Sequence, residues 1–178
     1  MQFFEKYFKE LESAINKVES KDLHKASLLV DETSKKGRKV IIAGNGGSAA
    51  IASHVAVDLT KTAGIRAVNF NESDLITCFA NDYGYENWVK EALNAYADAG
   101  DLLILISSSG QSANIINAAN RVSELGLNLI TLSGFSETNP LRSIGDINFW
   151  IDSDNYNYVE MTHHIWLLAI CDYIIANH

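Results

Sequence analysis

Apolar residues recur at intervals of three and four at the start of the chain. This spacing predicts two helices within residues 2–36, with a break at residues 20–22 and an end at Gly37. Short apolar runs then alternate with helical stretches, and the run "DLLILIS", residues 101–107, predicts a central parallel strand. The other predicted strands are residues 38–44, 65–70, 127–133 and 147–152. The other predicted helices are residues 47–62, 71–82, 84–97, 111–125 and the closing stretch 156–176.

This alternation predicts an α/β protein, a three-layer sandwich with a mainly parallel five-stranded sheet preceded by N-terminal helices. The length, 178 residues, and the absence of a linker or repeat predict one domain over residues 1–178, with the helices of residues 1–36 packed on its core. Asn71 and Asp74 have the spacing of a helix cap and predict the start of the short helix over residues 71–82.

Composition narrows the classes of function. The net charge of −8 argues against a general nucleic-acid surface, because lysine and arginine supply that affinity. No apolar run reaches the length of a membrane span, and the first residues lack the basic-then-apolar layout of a signal peptide. Cys78 and Cys171 lie far apart in apolar surroundings, which predicts free, buried thiols. Together these features predict a cytoplasmic protein.

Two predicted strands end in turns of small polar residues that open a helix. The first turn is "GNGGS", residues 44–48, and the second is "SSSGQS", residues 107–112. Ligands of doubly wound sheets bind beyond the carboxyl ends of the strands. Glycine allows close approach of a ligand, and the first turn of a helix offers free N–H groups and a positive dipole end. The pair of turns favours a phosphate monoester held without lysine or arginine; the structural alternative is that the serines cap the helices and the glycines form turns.

Three classes of phosphate-binding loop could account for these turns. A Walker loop is rejected, because no lysine lies between Lys39 and Lys61. Gly44, Gly46 and Ala49 fit the dinucleotide fingerprint G-x-G-x-x-A, but the following strand ends in "VNFN" without the acidic residue that binds a ribose. The serines after residue 106 favour the third class, a sugar-phosphate loop, and no nucleotide cofactor is expected.

A carboxylate and an imidazole share a face on each of two helices. His54 and Asp58 are four residues apart on one, and Glu160 and His164 have the same spacing on the closing helix, with His163 bordering that face. Such residues suit acid–base chemistry or a tetrahedral zinc site. The structural alternative is a pair of ion-paired helix faces, each worth a few tenths of a kcal/mol. The apolar setting of "THHI" favours the functional reading, since buried polar groups need partners.

Three segments carry a resemblance to a known family: "GNGGSAAIASHVAVDLT", "FANDYGY" and "ISSSGQSANIINAANRVSELGLNLITLSG". They resemble the sugar isomerase (SIS) proteins, which have a flavodoxin-like fold, and within these the phosphoheptose isomerases, which convert sedoheptulose 7-phosphate into glycero-manno-heptose 7-phosphate. The resemblance covers nearly the whole chain. It implies an aldose–ketose isomerase working through an enediol, and a homotetramer with active sites at subunit interfaces, the N-terminal helices also packing on neighbouring subunits.

The resemblance also assigns roles to residues of this chain. The substrate-binding residues it implies are Asn45, Gly46, Ser48, Asp82, Ser107, Ser108, Ser109 and Ser112. The spacing of the two helix pairs, rather than the resemblance, adds Glu160 and His164 to Asp58, the base, as candidate catalytic residues, with His163 as the other histidine that could serve as acid. The residues that would hold zinc are His54, Asp58, Glu160 and His164.

The chain departs from the family pattern at three positions. The phosphoheptose isomerases have glutamate where this chain has Asp58, glutamine where it has Glu160, and histidine where it has Leu168. The binding motif is thus kept and the catalytic motif is altered. This leaves open a second class of function, a non-catalytic SIS protein that binds a phosphosugar as a regulator or contacts a protein partner, as in relatives that serve replication initiation.

Overall fold

A computed structural model describes residues 2–177 as a helix-flanked sheet. In chain order its elements are α1 (Gln2–Ile15), α2 (Ser20–Lys35), β1 (Val40–Gly44), α3 (Gly47–Lys61), β2 (Ala67–Asn69), α4 (Ser73–Tyr83), α5 (Trp88–Tyr96), β3 (Leu102–Ser107), α6 (Ala113–Leu125), β4 (Asn128–Ser133), β5 (Ile147–Trp150) and α7 (Tyr156–Asn177), with a single 3-10 turn, Pro140–Ser143, before β5. Every helix within residues 2–177 is too short or too polar to cross a membrane.

The five strands form one sheet in the order β2-β1-β3-β4-β5, and all neighbours are parallel. Strand order reverses between β1 and β3, whose register pairs Ile42 with Ile104 and Gly44 with Ile106. This reversal is the topological switch point where doubly wound sheets bind ligands. The predicted α/β fold, with its parallel five-stranded sheet, is confirmed.

Helices cover both faces of the sheet, which makes the three predicted layers. Alternate residues of β1 and β3 point to opposite faces, because side chains alternate along a strand. Val40, Ile42 and Ile104 pack with α2, α3 and α7. Ile41, Leu103 and Leu105 pack with α5 and α6, against the buried Trp88 among others. The central strand β3 is buried along its whole length, as its unbroken apolar run predicts.

Two sequence predictions about α4 and its approach are wrong. Asn71 does not cap α4: its Nδ2 donates to the carbonyl of Ala49 at 2.8 Å and to Oγ of Ser53 at 2.7 Å, so it ties the end of β2 to α3. The N-cap position is taken by Glu72, which makes no capping hydrogen bond through its side chain. Cys78 is exposed, because α4 lies at the surface and buries none of its residues. Cys171 is a buried free thiol, as predicted.

Large apolar side chains are exposed on α1. Phe3, Phe4 and Phe8 are 70%, 63% and 64% exposed in the single chain, whereas Ala14 on the same helix is buried against the core. The helix also contacts α7 through Tyr7 and Glu10, which meet Tyr158, but these three phenylalanine side chains remain uncovered.

Candidate functional site

A cavity of about 270 Å³ lies at the switch point, between the turns that follow β1 and β3. It is lined by residues of both turns together with two from α7: Asn45, Gly46, Gly47, Ser48, Ile106, Ser107, Ser108, Ser109, Ser112, Tyr156 and Glu160. The structure thus brings together every predicted substrate-binding residue except Asp82. A larger groove, about 420 Å³, lies between α5 and α6, but its side chains already bond one another, as Arg121 does with Asn94.

The serine turn offers unused hydrogen-bond donors to this cavity. Ser112 occupies the N-cap position of α6 but makes no capping hydrogen bond through its side chain; instead its Oγ accepts a hydrogen bond from Ser107 Oγ at 3.1 Å. Oγ of Ser108 is buried and has no partner among the described residues. The first N–H groups of α6 have no partner within their helix. A buried hydroxyl without a partner is costly, and an anion in the cavity would satisfy it.

The carboxylate of Glu160 lies beside the glycine turn, at the N-terminus of α3. Gly46 precedes α3 with φ of 53°, in the left-handed region that favours glycine. Gly47 begins α3, and a Cβ built there would collide with the Glu160 carboxylate. Burial raises the pKa of Glu160 above its usual range. Its carboxylate makes no hydrogen bond or ion pair to any residue within 2–177, so it remains available to a ligand.

Asn45 is held by two residues that the sequence reasoning did not select. Its Oδ1 accepts hydrogen bonds from Asn114 Nδ2 at 2.9 Å and from the Tyr85 hydroxyl at 3.0 Å. Its Nδ2 donates to Asn114 Oδ1 at 2.9 Å. Asn114 is buried in the first turn of α6, and Tyr85 comes from the turn between α4 and α5. No sequence pattern links these positions, because the contact depends on the packing of three separate segments.

The imidazole of His54 connects α3 to α7. Its Nδ1 lies 2.8 Å from His164 Nε2, and its Nε2 lies 3.6 Å from Asp58 Oδ2. Burial, and next the neighbouring His54, lower the pKa of His164, while Asp58 opposes this shift. Two imidazole nitrogens at this distance share one proton, so one ring donates and the other accepts. His54 therefore lies between Asp58 and His164, and none of the three side chains lines the cavity.

Three further candidates lie away from this arrangement. His163 is buried and turned toward β4, where its Nε2 lies 3.1 Å from the carbonyl oxygen of Ser133, so His164 is the histidine on the functional face. Leu168 packs against the core one turn beyond His164. Asp82 is exposed near the end of α4, accepts a hydrogen bond from Asn81 at 2.9 Å, and does not line the cavity.

The predicted zinc ligands do not converge on one point. Asp58 and His164 approach different nitrogens of the His54 ring, and Glu160 lies instead against Gly47. Within residues 2–177 no three histidine, cysteine, aspartate or glutamate side chains are grouped so as to hold a metal ion. The donor set as arranged therefore does not fit zinc.

Comparisons with known proteins agree with the fold and the motifs. The phosphoheptose isomerase of Aliarcobacter butzleri is 36% identical over 158 residues, which cover 85% of this chain and 83% of that protein. The structure of a phosphoheptose isomerase from Francisella tularensis superposes with a TM-score of 0.90 at 25% identity, covering 99% of this chain and 98% of that one. That of Neisseria gonorrhoeae gives 0.87 at 27% identity, with 97% of each chain covered. A profile of the SIS domain matches residues 2–134. The chain belongs to the SIS domain family.

Proposed function

We propose that this chain is an aldose–ketose isomerase that converts sedoheptulose 7-phosphate into D-glycero-D-manno-heptose 7-phosphate. The isomerase class is supported by relatives named phosphoheptose isomerase. The observation that carries the proposal is one cavity that holds both an unpaired carboxylate, Glu160, and an unpaired buried hydroxyl, Ser108. An isomerase of a phosphorylated sugar needs a proton acceptor at the sugar and donors at the phosphate.

The serine turn would bind the phosphate. Ser108 and Ser107 are buried in the cavity wall, and the N-terminus of α6 adds N–H groups and a positive dipole end. Among residues 2–177, no lysine or arginine lines the cavity. Neutral donors would therefore supply the phosphate affinity.

Glu160 would move the proton between carbons. In the ketose, the base removes a proton from C1 while O2 gains one, and an enediol that keeps the O1 proton forms; in the second half of the reaction O1 loses that proton. The same base then returns a proton to C2, which leaves the aldehyde at C1. Burial raises the pKa of Glu160, which suits a group that must accept and release a proton near neutral pH. Asp58, the base that the family resemblance implies, lies beside His54 rather than in the cavity wall.

His164 is outside the cavity lining of the single chain, and it would serve the sugar oxygens that extend beyond that lining. It lies one turn after Glu160 on α7 and meets His54, which in turn faces Asp58. Asp58 would hold the charge of an imidazolium formed on His54 as a proton passes between O1 and O2. In this proposal Asp58 supports the acid and Glu160 is the base, so the role of base moves from position 58, where the phosphoheptose isomerases have glutamate, to position 160, where they have glutamine.

The test is incubation with sedoheptulose 7-phosphate, followed by NMR of the product, with and without added zinc. Formation of the aldose supports the proposal. Binding without conversion in both conditions would contradict it and support the non-catalytic regulator. No finding favours that second function, including a partner role in replication.

We further propose a cytoplasmic homotetramer. The exposed aromatic residues of α1, Phe3, Phe4 and Phe8, form an apolar surface that a second copy would cover. Light scattering on the purified chain tests the assembly: a mass of four chains is expected, and a monomer would contradict it. Zinc is a prediction of the family resemblance alone, against the arrangement of these side chains within residues 2–177, and metal analysis of the purified protein tests it.

A further inference from the structure

We propose that Tyr85 and Asn114 are positioning residues that fix which hydrogen-bonding group Asn45 presents to the sugar; this inference rests on the proposed function. Asn45 lines the cavity, but neither Tyr85 nor Asn114 does. Each of the two contacts Asn45 directly, from a different segment of the chain.

The hydrogen-bonding capacity of Asn45 is almost filled by these neighbours. A side-chain carboxamide has two acceptor sites on its oxygen and two N–H donors. Both acceptor sites of Asn45 Oδ1 are used, by Asn114 Nδ2 and by the Tyr85 hydroxyl. One of the two Nδ2 hydrogens is used by Asn114 Oδ1. The only group left for a ligand is the second Nδ2 hydrogen.

Asn45 therefore acts on the ligand as a donor only. Its partner must be an oxygen with free lone pairs, such as the carbonyl oxygen of the ketose or the oxygen that carries charge in the enediolate. The reciprocal pair with Asn114 sets the plane of the carboxamide, because that pair needs two parallel hydrogen bonds. The Tyr85 hydroxyl occupies the remaining acceptor site, so the oxygen cannot receive a sugar hydroxyl.

The geometry of the turn explains how Tyr85 reaches a residue forty positions earlier. Gly84 follows α4 with φ of 85°, which reverses the chain and directs Tyr85 toward the glycine turn. Tyr83, on the other side of this glycine, contacts the Phe79 ring instead. Tyr83→Phe is therefore a matched control for Tyr85→Phe: each removes one tyrosine hydroxyl from the same turn.

A double-mutant cycle tests the proposal. Tyr85→Phe is expected to raise the Kd for sedoheptulose 7-phosphate about fivefold, the cost of one misplaced neutral hydrogen bond, and to leave the Kd for inorganic phosphate unchanged. In an Asn45→Ala background the same change is expected to have no further effect, because the residue through which Tyr85 acts is gone. Equal effects of Tyr85→Phe in both backgrounds would overturn the proposal, as would an equal effect of Tyr83→Phe.

A second measurement needs no ligand and separates this inference from the proposed function. In protein labelled with ¹⁵N-asparagine, the signal that disappears in Asn45→Ala identifies the Asn45 side-chain amide. Tyr85→Phe is expected to shift that signal and Tyr83→Phe to leave it in place. An unchanged Asn45 signal in Tyr85→Phe would contradict the positioning role even if the enzyme is active. If the signal shifts but the chain converts no heptose phosphate, the positioning role is supported and only the proposed function is contradicted.

Discussion

The two ends of the cavity are built in different ways. At the phosphate end, consecutive residues of one buried turn, Ser107 to Ser109, meet the start of α6. At the acid–base end, Glu160 of α7 lies against Gly47 of α3, and one turn further along α7 His164 meets the half-exposed His54, which faces Asp58. The first end depends on local backbone geometry and the second on how two helices pack. The acid–base end should therefore be the one that small displacements damage.

Removal of the carboxylate at the acid–base end should have the largest effect. Glu160→Gln keeps the shape of the side chain but cannot accept a proton, so we expect kcat to fall about 10³-fold with little change in the Kd for substrate. Asp172→Asn, on an exposed part of the same helix, is the control. Full turnover by the Glu160 variant would show that the base lies elsewhere, and Asp58→Asn would then be the next variant to assay.

Displacing the Glu160 carboxylate without altering its chemistry should lower kcat nearly as much. The methyl group of Gly47→Ala would collide with the Glu160 carboxylate and push it from its place. We expect kcat to fall about 100-fold. Circular dichroism should show an unchanged fold, because only the flexible end of Glu160 must move. Retained kcat in a folded Gly47→Ala protein would mean that the position of Glu160 does not matter.

A substitution at the phosphate end should weaken substrate binding rather than lower kcat. Ser108→Ala removes the buried hydroxyl that has no protein partner, and we expect the Kd for both sugar phosphate and inorganic phosphate to rise about tenfold. Calorimetry measures both affinities, with Ser143→Ala, outside the cavity, as the control. A change in kcat with an unchanged Kd would show that Ser108 acts at the acid–base end and does not bind the phosphate.

The buried histidine next to the acid–base end should make stability depend on pH. Burial lowers the pKa of His163 to about 4, from 6.5. The unfolded chain therefore binds a proton in a range where the folded chain does not. Stability is full above pH 6.5 and decreases as pH falls toward 4, by about 3 kcal/mol at the end of that range. Urea unfolding at several pH values measures this.

The variant His163→Gln should lose that part of the pH dependence, whereas His24→Gln, at an exposed site, should keep it. An identical decrease in stability in all three proteins would assign the effect to other groups.

The contrast between local turns and packed helices also explains which features could be predicted from the sequence. The parallel sheet and the serine turn follow from contiguous patterns, the apolar run of residues 101–107 and "SSSGQS" after it, so their prediction needs no tertiary information. The position of Glu160 over Gly47, the contact of Tyr85 with Asn45, and Tyr156 in the cavity wall depend on the packing of distant segments. The exposure of Cys78 also depends on packing, because its apolar neighbours in the sequence do not reveal that α4 lies at the surface.

The transfer of a proton by a base in this cavity can be followed directly by isotope incorporation. Sedoheptulose 7-phosphate is incubated with the wild-type chain in D₂O, and the product is observed by NMR. Wild type and Asp172→Asn are expected to form an aldose that carries deuterium at C2, whereas Glu160→Gln is expected to bind the substrate without forming it. Binding by wild type without any conversion, or deuterium at C2 at the wild-type rate with Glu160→Gln, would contradict this mechanism.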